Sequence, residues 1–280
     1  MAILACSLFA SNHAVAEDAS AALSPDAVYD SFPTYSGTDL GLTVADGQAR
    51  FRLWSPKASA VRLYIYDNAN TSTPSETIEM QPADGGTWTA SLSPVPYGKF
   101  YTFSIQQDGK WLAETPGIWA KAVGVNGHRA AIIDFASTDP EGWKADKGPA
   151  TKAITDGVLY EMHHRDFSVH PSSGITNKGK FLALTEQATR SILGDKTGID
   201  HLKELGVTHV HILPSYDYNS VDETQAPLNQ YNWGYDPQNY NAPEGSYSSR
   251  PADPSARIAE MKQMVKALHD AGIGVVMDVV

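Results

Sequence analysis

Asp253-Pro254-Ser255-Ala256-Arg257-Ile258-Ala259-Glu260-Met261-Lys262-Gln263-Met264-Val265-Lys266-Ala267-Leu268-His269-Asp270-Ala271-Gly272-Ile273-Gly274-Val275-Val276-Met277-Asp278-Val279-Val280 reads as a helix feeding a buried strand. Asp253 is the N-cap, and Pro254 takes the first helical position, where its missing N–H forfeits no bond. Ile258, Met261, Val265 and Leu268 fall on one face at helical spacing, and Gly272 ends the helix. The apolar run from Gly274 is of the kind found in strands covered on both faces. Working outward, residues 208–213 form a second strand, closed by Pro214. A short helix precedes it, with Ile199, Leu202 and Leu205 on one face and Gly206 as terminator. Residues 157–163 are a third strand, separated from that helix by a polar, glycine-rich excursion to about Thr197. Strand, helix, strand, helix, strand is α/β architecture with a parallel sheet. The pattern fits a doubly wound sheet or an eight-stranded barrel equally. No G-x-G-x-x-G turn follows the first strand, so dinucleotide binding has no support.

Toward the amino terminus the period changes. Arg50-Phe51-Arg52-Leu53-Trp54 and Val61-Arg62-Leu63-Tyr64-Ile65-Tyr66 alternate polar and apolar, and Asp84-Gly85-Gly86, Pro96-Tyr97-Gly98 and Asp108-Gly109 set turns between further strands at residues 88–92, 100–105 and 111–112. Short alternating strands at this spacing predict an immunoglobulin-like β-sandwich of about 100 residues. Trp88, Tyr97, Phe100, Tyr101 and Trp111 are either its core or a sugar-binding platform, and alternation favours the core. The expected division is residues 1–22 leader-like and disordered, 23–140 the sandwich, 141–156 a linker, and 157–280 the α/β part.

The chain has 280 residues, 42% hydrophobic and 19% charged, with a formal net charge of -11 and no cluster of lysine or arginine. Nucleic acid and anionic membrane are therefore poor partners. Residues 1–16 are apolar and end in Ala14-Val15-Ala16, like the tail of a secretory signal without its basic start, which predicts a secreted or cell-surface protein. Cys6, the single cysteine, lies within that segment and loosely resembles an acylation site, leaving no disulfide or thiolate metal site in the remainder. No later apolar run reaches the roughly 20 residues of a membrane span. His163, His164, His201, His209 and His211 lack the spacing of a zinc site, so no metal ligand is assigned.

Tyr231-Asn232-Trp233-Gly234-Tyr235-Asp236-Pro237 follows the second parallel strand and combines three large aromatics with a carboxylate. A pyranose presents a C–H face and a hydroxyl rim, which flat aromatic rings edged with polar groups match; the alternative is a loop that only packs on its neighbours. Asp278 lies near the carboxyl end of the third strand, on the rim where such folds build their sites; the competing role is a strand carboxylate bonding nearby backbone.

Together with Tyr160-Glu161-Met162-His163-His164-Arg165-Asp166-Phe167, Asn177-Lys178-Gly179-Lys180-Phe181-Leu182-Ala183-Leu184, His211-Ile212-Leu213-Pro214-Ser215-Tyr216-Asp217 and Met277-Asp278-Val279-Val280, the aromatic loop resembles the type I pullulanases, starch-debranching enzymes of glycoside hydrolase family 13. The first domain resembles a carbohydrate-binding module of family 48. The resemblance implies a β-sandwich followed by the first three strands of an incomplete (β/α)8 TIM barrel. It also implies retaining hydrolysis of α-1,6-glucosidic bonds in pullulan, amylopectin and glycogen, chemistry that needs two carboxyl groups about 5 Å apart. Tyr235 matches the tyrosine that stacks under the sugar at the cleavage subsite, with Asp236 and Trp233 flanking it as substrate contacts. Asp278 matches an aspartate that supports the active-site hydrogen-bond network and is not the nucleophile. His163 and Arg165 match a mainly structural motif, and His164 stands where an apolar residue is usual. The family's nucleophile and acid follow the fourth and fifth strands, so no catalytic residue is assigned here and the chain is expected to be an amino-terminal fragment without activity of its own. Calcium is allowed by the resemblance, although the sequence displays no ligand set for it. The rival readings are an isoamylase or another hydrolase of the α-amylase family, and a non-catalytic α-glucan-binding protein.

Overall fold

The computed structural model describes residues 30–150, 153–225 and 230–280. The leader assigned to residues 1–22, with Cys6, lies outside the described residues.

Two antiparallel sheets form the amino-terminal part. One has the order β1 (Gly41–Ala45), β2 (Gln48–Trp54), β6 (Thr87–Leu92), β5 (Gln81–Ala83). The other runs β4 (Glu76–Glu79), β3 (Ala60–Tyr66), β7 (Phe100–Gln107), β8 (Lys110–Trp111), with β9 (Ala130–Ala131) also paired to β7. The alternation works as its period requires, because Val61, Leu63 and Ile65 on β3 point inward while Arg62 and Tyr64 point out. They meet Phe51 of β2 and Tyr101 and Phe103 of β7, whose rings pack edge-to-face at 5.1 and 5.5 Å. Alternation fails on β7, where residues 100–104 are all buried. Its second face is also covered, Phe100 lying in a cluster with Tyr66, Ala122, Ala131, Ile133 and Ile258. Of the rings offered as a platform, Phe100 and Tyr101 are core, Trp88 donates its N–H to Ser55 O at 3.1 Å, and Trp111 lies under the Arg62 guanidinium at 4.0 Å. Three strands had no sequence signal: β1, β4 and β5 are short edge elements, and Pro82 inside β5 is tolerated only at an edge.

The second part is a parallel sheet of order β10 (Leu159–Met162), β11 (His209–Ile212), β14 (Gly274–Met277), in the register Met162, Ile212, Met277. After β10 come a short helix, α1 (His164–Ser168), and then α2 (Gly198–Leu205); α3 (Pro254–Asp270) precedes β14. Ile199 and Leu202 of α2 and Met264 and Leu268 of α3 share one core with Met162, Val210 and Ile212, so both longer helices cover the same face. The other face carries Glu161, His211 and Val276, which are paired across the sheet. Between β11 and α3 the chain makes an antiparallel ribbon, β12 (Tyr216–Tyr218) and β13 (Pro237–Pro243), which read in the sequence only as loop. Pro237 is the first residue of β13, a strand position that tolerates proline.

The cap of α3 matches the sequence reading, Asp253 accepting from Ser255 N at 3.0 Å and Ala256 N at 3.2 Å. Its buried face is wider than Ile258, Met261, Val265 and Leu268, because Met261 and Val265 are half-buried while Arg257, Glu260 and Met264 are buried. The helix touches both parts of the chain. Ile258 enters the sandwich-side cluster, and Lys262 Nζ reaches Asp139 at 2.6 Å and Thr138 Oγ1 at 2.7 Å. In the segment read as linker, Asp146 pairs with His269 Nδ1 at 2.6 Å. Among the described residues no helix is long and apolar enough to cross a membrane.

Candidate functional site

The aromatic loop lies across the strand ends because Gly234 and Asn232 let it. Gly234 sits at φ +92°, and a Cβ there would come within 2.8 Å of Pro214 O, just beyond β11. Asn232 is the hub. Its O is 2.8 Å from His163 Nε2, its Oδ1 accepts from Gly234 N at 2.7 Å, and its Nδ2 donates to Ser220 Oγ at 2.6 Å and Asp236 Oδ1 at 2.9 Å. Asp236 Oδ2 accepts from Ser220 N at 2.9 Å and Ser220 Oγ at 2.5 Å. The Asp236 carboxylate therefore braces the loop from within. Asn232 and Ser220 carried no signal as single residues; their donors and acceptors become meaningful only once the loop closes on them.

Two of the residues read from the sequence meet directly. The Tyr235 hydroxyl donates to Asp278 Oδ2 at 2.6 Å, across 43 residues of sequence. That bond, followed by desolvation, pushes the Tyr235 phenol up to about 12, because it must be broken to ionise the ring beside a carboxylate. Asp278 extends the parallel ladder through its N–H to Ile212 O at 3.1 Å, and its side chain points to the helix-free face. There its Oδ2 is 3.7 Å from His211 Nε2, and His211 Nδ1 is 3.9 Å from Glu161 Oε2. Trp233 does not join this contact. It stands 57% exposed, edge-on to Tyr231 at 6.5 Å, while Tyr231 lies against His163 at 5.3 Å and under Arg165 at 5.6 Å. The rim thus offers three partly exposed rings, Tyr231, Trp233 and Tyr235, beside one carboxylate.

Below the rim, His163 caps α1 and bonds the loop, whereas His164 is fully buried. Ser215 Oγ donates to Leu213 O at 3.0 Å, so at 3.0 Å from His164 Nε2 it accepts the imidazole proton. Burial, then the neighbouring His163, pulls the His164 imidazole down to about 3, and the ring is neutral.

A second polar assembly went unseen in the sequence. Arg257 of α3 is buried with NH1 3.3 Å from Asp217 Oδ1 and NH2 hydrogen-bonded to Glu223, and its Nε donates to Pro251 O at 3.0 Å. Glu223 also accepts from Asn126 N at 2.7 Å and Gly245 N at 2.9 Å, and Asp217 accepts from Asn239 Nδ2 at 2.7 Å. Glu244 is fully buried, accepting from Tyr218 N at 3.1 Å and Ser246 N at 2.7 Å. Desolvation raises Asp217 to about 7; desolvation, then Glu223 and Asp217, raises Glu244 to about 8. Among the described residues Asp217, Glu223 and Glu244 are the cluster close enough to share a cation, with ligand atoms within 4.8 Å of one another. They do not fit calcium, because the Arg257 guanidinium already holds the centre and the carboxylates accept from protein donors.

Residues 39–121, most of the two-sheet unit, match the family described as "Carbohydrate-binding module 48 (Isoamylase N-terminal domain)", so the sandwich is a module of that class. Along its length the chain is 40% identical over 254 residues to the pullulanase of Bacillus subtilis (strain 168), covering 91% of this chain and 34% of that protein. It is 31% identical to "Pullulanase 1, chloroplastic" of Arabidopsis thaliana over 90% of this chain and 29% of the other. A crystal structure of the Paenibacillus barengoltzii pullulanase, in complex with maltohexaose and α-cyclodextrin, superposes with a TM-score of 0.87 at 48% identity, covering 91% of this chain and 39% of that one. The chain is related to the pullulanases over nine-tenths of its length, and it spans about a third of the length of these curated relatives.

Proposed function

We propose that this chain supplies the glucan-binding module and the substrate-holding rim of a starch-debranching glycoside hydrolase that cleaves α-1,6-glucosidic bonds with retention of configuration. One observation carries the reading: the Tyr235 hydroxyl on the Asp278 carboxylate at 2.6 Å, at the carboxyl ends of neighbouring parallel strands. A phenol held by that bond keeps its ring at a fixed angle and presents a face, which is what a pyranose at a cleavage subsite requires. Trp233 and Tyr231 extend the platform, and Asp236 serves by holding the loop's shape.

The parallel sheet is read as the opening of a (β/α)8 barrel. Strands in consecutive order with both longer helices on one face favour it, and the second face, with Glu161, His211 and Asp278, becomes the barrel interior. In this reading the two carboxyl groups of retaining chemistry, about 5 Å apart, belong to the portion of the relatives beyond the matched third. The division at residues 23–140, 141–156 and 157–280 is kept as the working set of domains, with α3 as the element that fastens the first to the last.

The test is a chimera in which these 280 residues replace the matching third of the Bacillus subtilis pullulanase. It should release reducing ends from pullulan and not from amylose, and Tyr235→Ala within it should lower kcat/KM on pullulan about 100-fold. A folded chimera that cleaves amylose and leaves pullulan intact would overturn the linkage assignment. An unaffected Tyr235→Ala would remove the rim from the mechanism.

A further inference from the structure

Three apolar side chains of the sandwich part are exposed together where a folded module has no structural need of them. Ile118 is 80% exposed, Trp119 44% and Trp54 38%, and with Tyr35, Leu40 and Leu53 they line a hollow of about 340 Å³. That volume lies in the range of small-ligand sites, and a contiguous apolar patch on a surface marks a binding surface more often than chance exposure.

The rings are held before anything binds. The Trp54 indole N–H donates to Pro33 O at 3.0 Å. The Tyr35 hydroxyl donates to the Asp39 carboxylate, which also accepts from Arg52 Nε at 2.9 Å, and the Arg52 guanidinium stands 4.8 Å from the Tyr35 ring centroid. Gly41, at φ +85°, makes room for Trp119, since a Cβ there would come within 2.6 Å of the Trp119 Cβ. Two tryptophans and a tyrosine fixed around one hollow lose little conformational freedom on binding, which favours a ligand with flat C–H faces.

We propose that this hollow is a second α-glucan site, separate from the rim at Tyr235, in which Trp54 and Trp119 stack on glucosyl units of a linear or cyclic α-1,4-linked chain. Leu40, Leu53, Trp54, Ile118 and Trp119 all fall inside residues 39–121, the stretch matched to a carbohydrate-binding module. The rings named from the sequence, Phe100, Tyr101, Trp88 and Trp111, are buried, half-buried or capped, so the exposed tryptophan faces of the module gather here. The proposal rests on the glucan reading but not on hydrolysis. Such a site would hold a polymer beside the rim and raise its local concentration there.

The experiment is calorimetric titration of the whole chain with maltohexaose and with α-cyclodextrin, with cellohexaose as the control for β-linked chains. Trp119→Ala, Trp119→Phe and Tyr235→Ala are compared with the parent sequence, and circular dichroism checks the fold of each. Trp119→Ala should weaken α-glucan binding about tenfold or more, Trp119→Phe should restore most of it, and Tyr235→Ala should leave this site's affinity in place. Loss of all binding in Tyr235→Ala with none lost in Trp119→Ala overturns the second site and leaves the rim standing. Equal binding of cellohexaose, or no α-glucan binding by the parent chain, overturns the proposal as well, while hydrolysis by the chimera remains a separate measurement of the enzymatic reading.

Discussion

At the strand ends, Tyr235 and Asp278 meet in the open, with Trp233 and Tyr231 beside them. Along the same excursion of chain, Asp217, Glu223 and Glu244 gather around Arg257 where water does not reach. Both places join a carboxylate to a hydrogen-bond donor, yet the first leaves aromatic faces free for a partner and the second leaves nothing free. The rim's bond orients a ring and contributes little to stability, as exposed hydrogen bonds do. The clasp joins the Asn126 turn, the ribbon and α3, and its charges are costly to bury unless each is met. Recognition and attachment are thus divided between two neighbouring groups of the same residue types.

The largest effect that would break this division is at Arg257. Arg257→Met leaves Asp217 and Glu223 buried opposite no cation and should cost about 3–5 kcal/mol in urea unfolding. A cost below about 1 kcal/mol would mean that the clasp is not structural. Next in size is Gly234→Ala, which forces a Cβ toward Pro214 O at a left-handed φ and should cost about 1–3 kcal/mol. Because the damage is confined to the loop, hydrogen exchange should quicken at residues 231–237 and not in the sandwich core.

These two substitutions also mark what was legible in the sequence. The loop announced itself because three aromatics around a glycine are improbable, and Asp278 because a carboxylate interrupts an apolar strand; their positions at the sheet's rim followed from the order of elements. Helix α3 was legible from its cap, but its true buried face was not. Periodicity counts apolar residues, and Arg257 and Glu260 are buried by partners on distant segments. Asp217 and Glu223 sit in ordinary polar stretches and Asn126 in a turn, so nothing local distinguishes them. The ribbon β12–β13 escaped for a related reason: its strands are short, bulged and rich in residues of turns. The wide side of β7 was missed because its covering residues, Ile133 and Ile258, come from outside the alternating strands.

A smaller effect is the pH dependence that the clasp should impose. Folding raises the pKa values of Asp217 and Glu244, so between the ordinary carboxylate range and about pH 8 the folded chain binds more protons than the unfolded one. Their contribution is present in full below the unfolded values and is lost as pH rises through the folded ones. The groups facing them are Arg257 and Glu223, with Lys180 and Glu260 farther out. Thermal midpoints should therefore fall from pH 5 to pH 8, and Glu244→Gln, which keeps the shape without the ionisable proton, should flatten the slope. A slope unchanged in Glu244→Gln would assign it elsewhere.

The smallest effect on stability is expected at the rim, and it tests whether the Tyr235–Asp278 bond does what is claimed for it. Asp278→Asn keeps an acceptor near the phenol but removes the negative charge, so stability should change by no more than about 1 kcal/mol. The phenol should respond far more. With the carboxylate in place its pKa is pushed up to about 12, since ionisation breaks the bond and sets two negative charges side by side. Without it, the Tyr235 Cζ resonance, assigned through Tyr235→Phe and followed by carbon NMR against pH, should titrate nearer the ordinary phenol value. If the resonance titrates alike in both chains, the ring is not held by Asp278 and the rim loses the contact that distinguishes it from a loop packed on its neighbours. If it moves while unfolding does not, the bond orients a recognition surface, and the clasp alone carries the attachment.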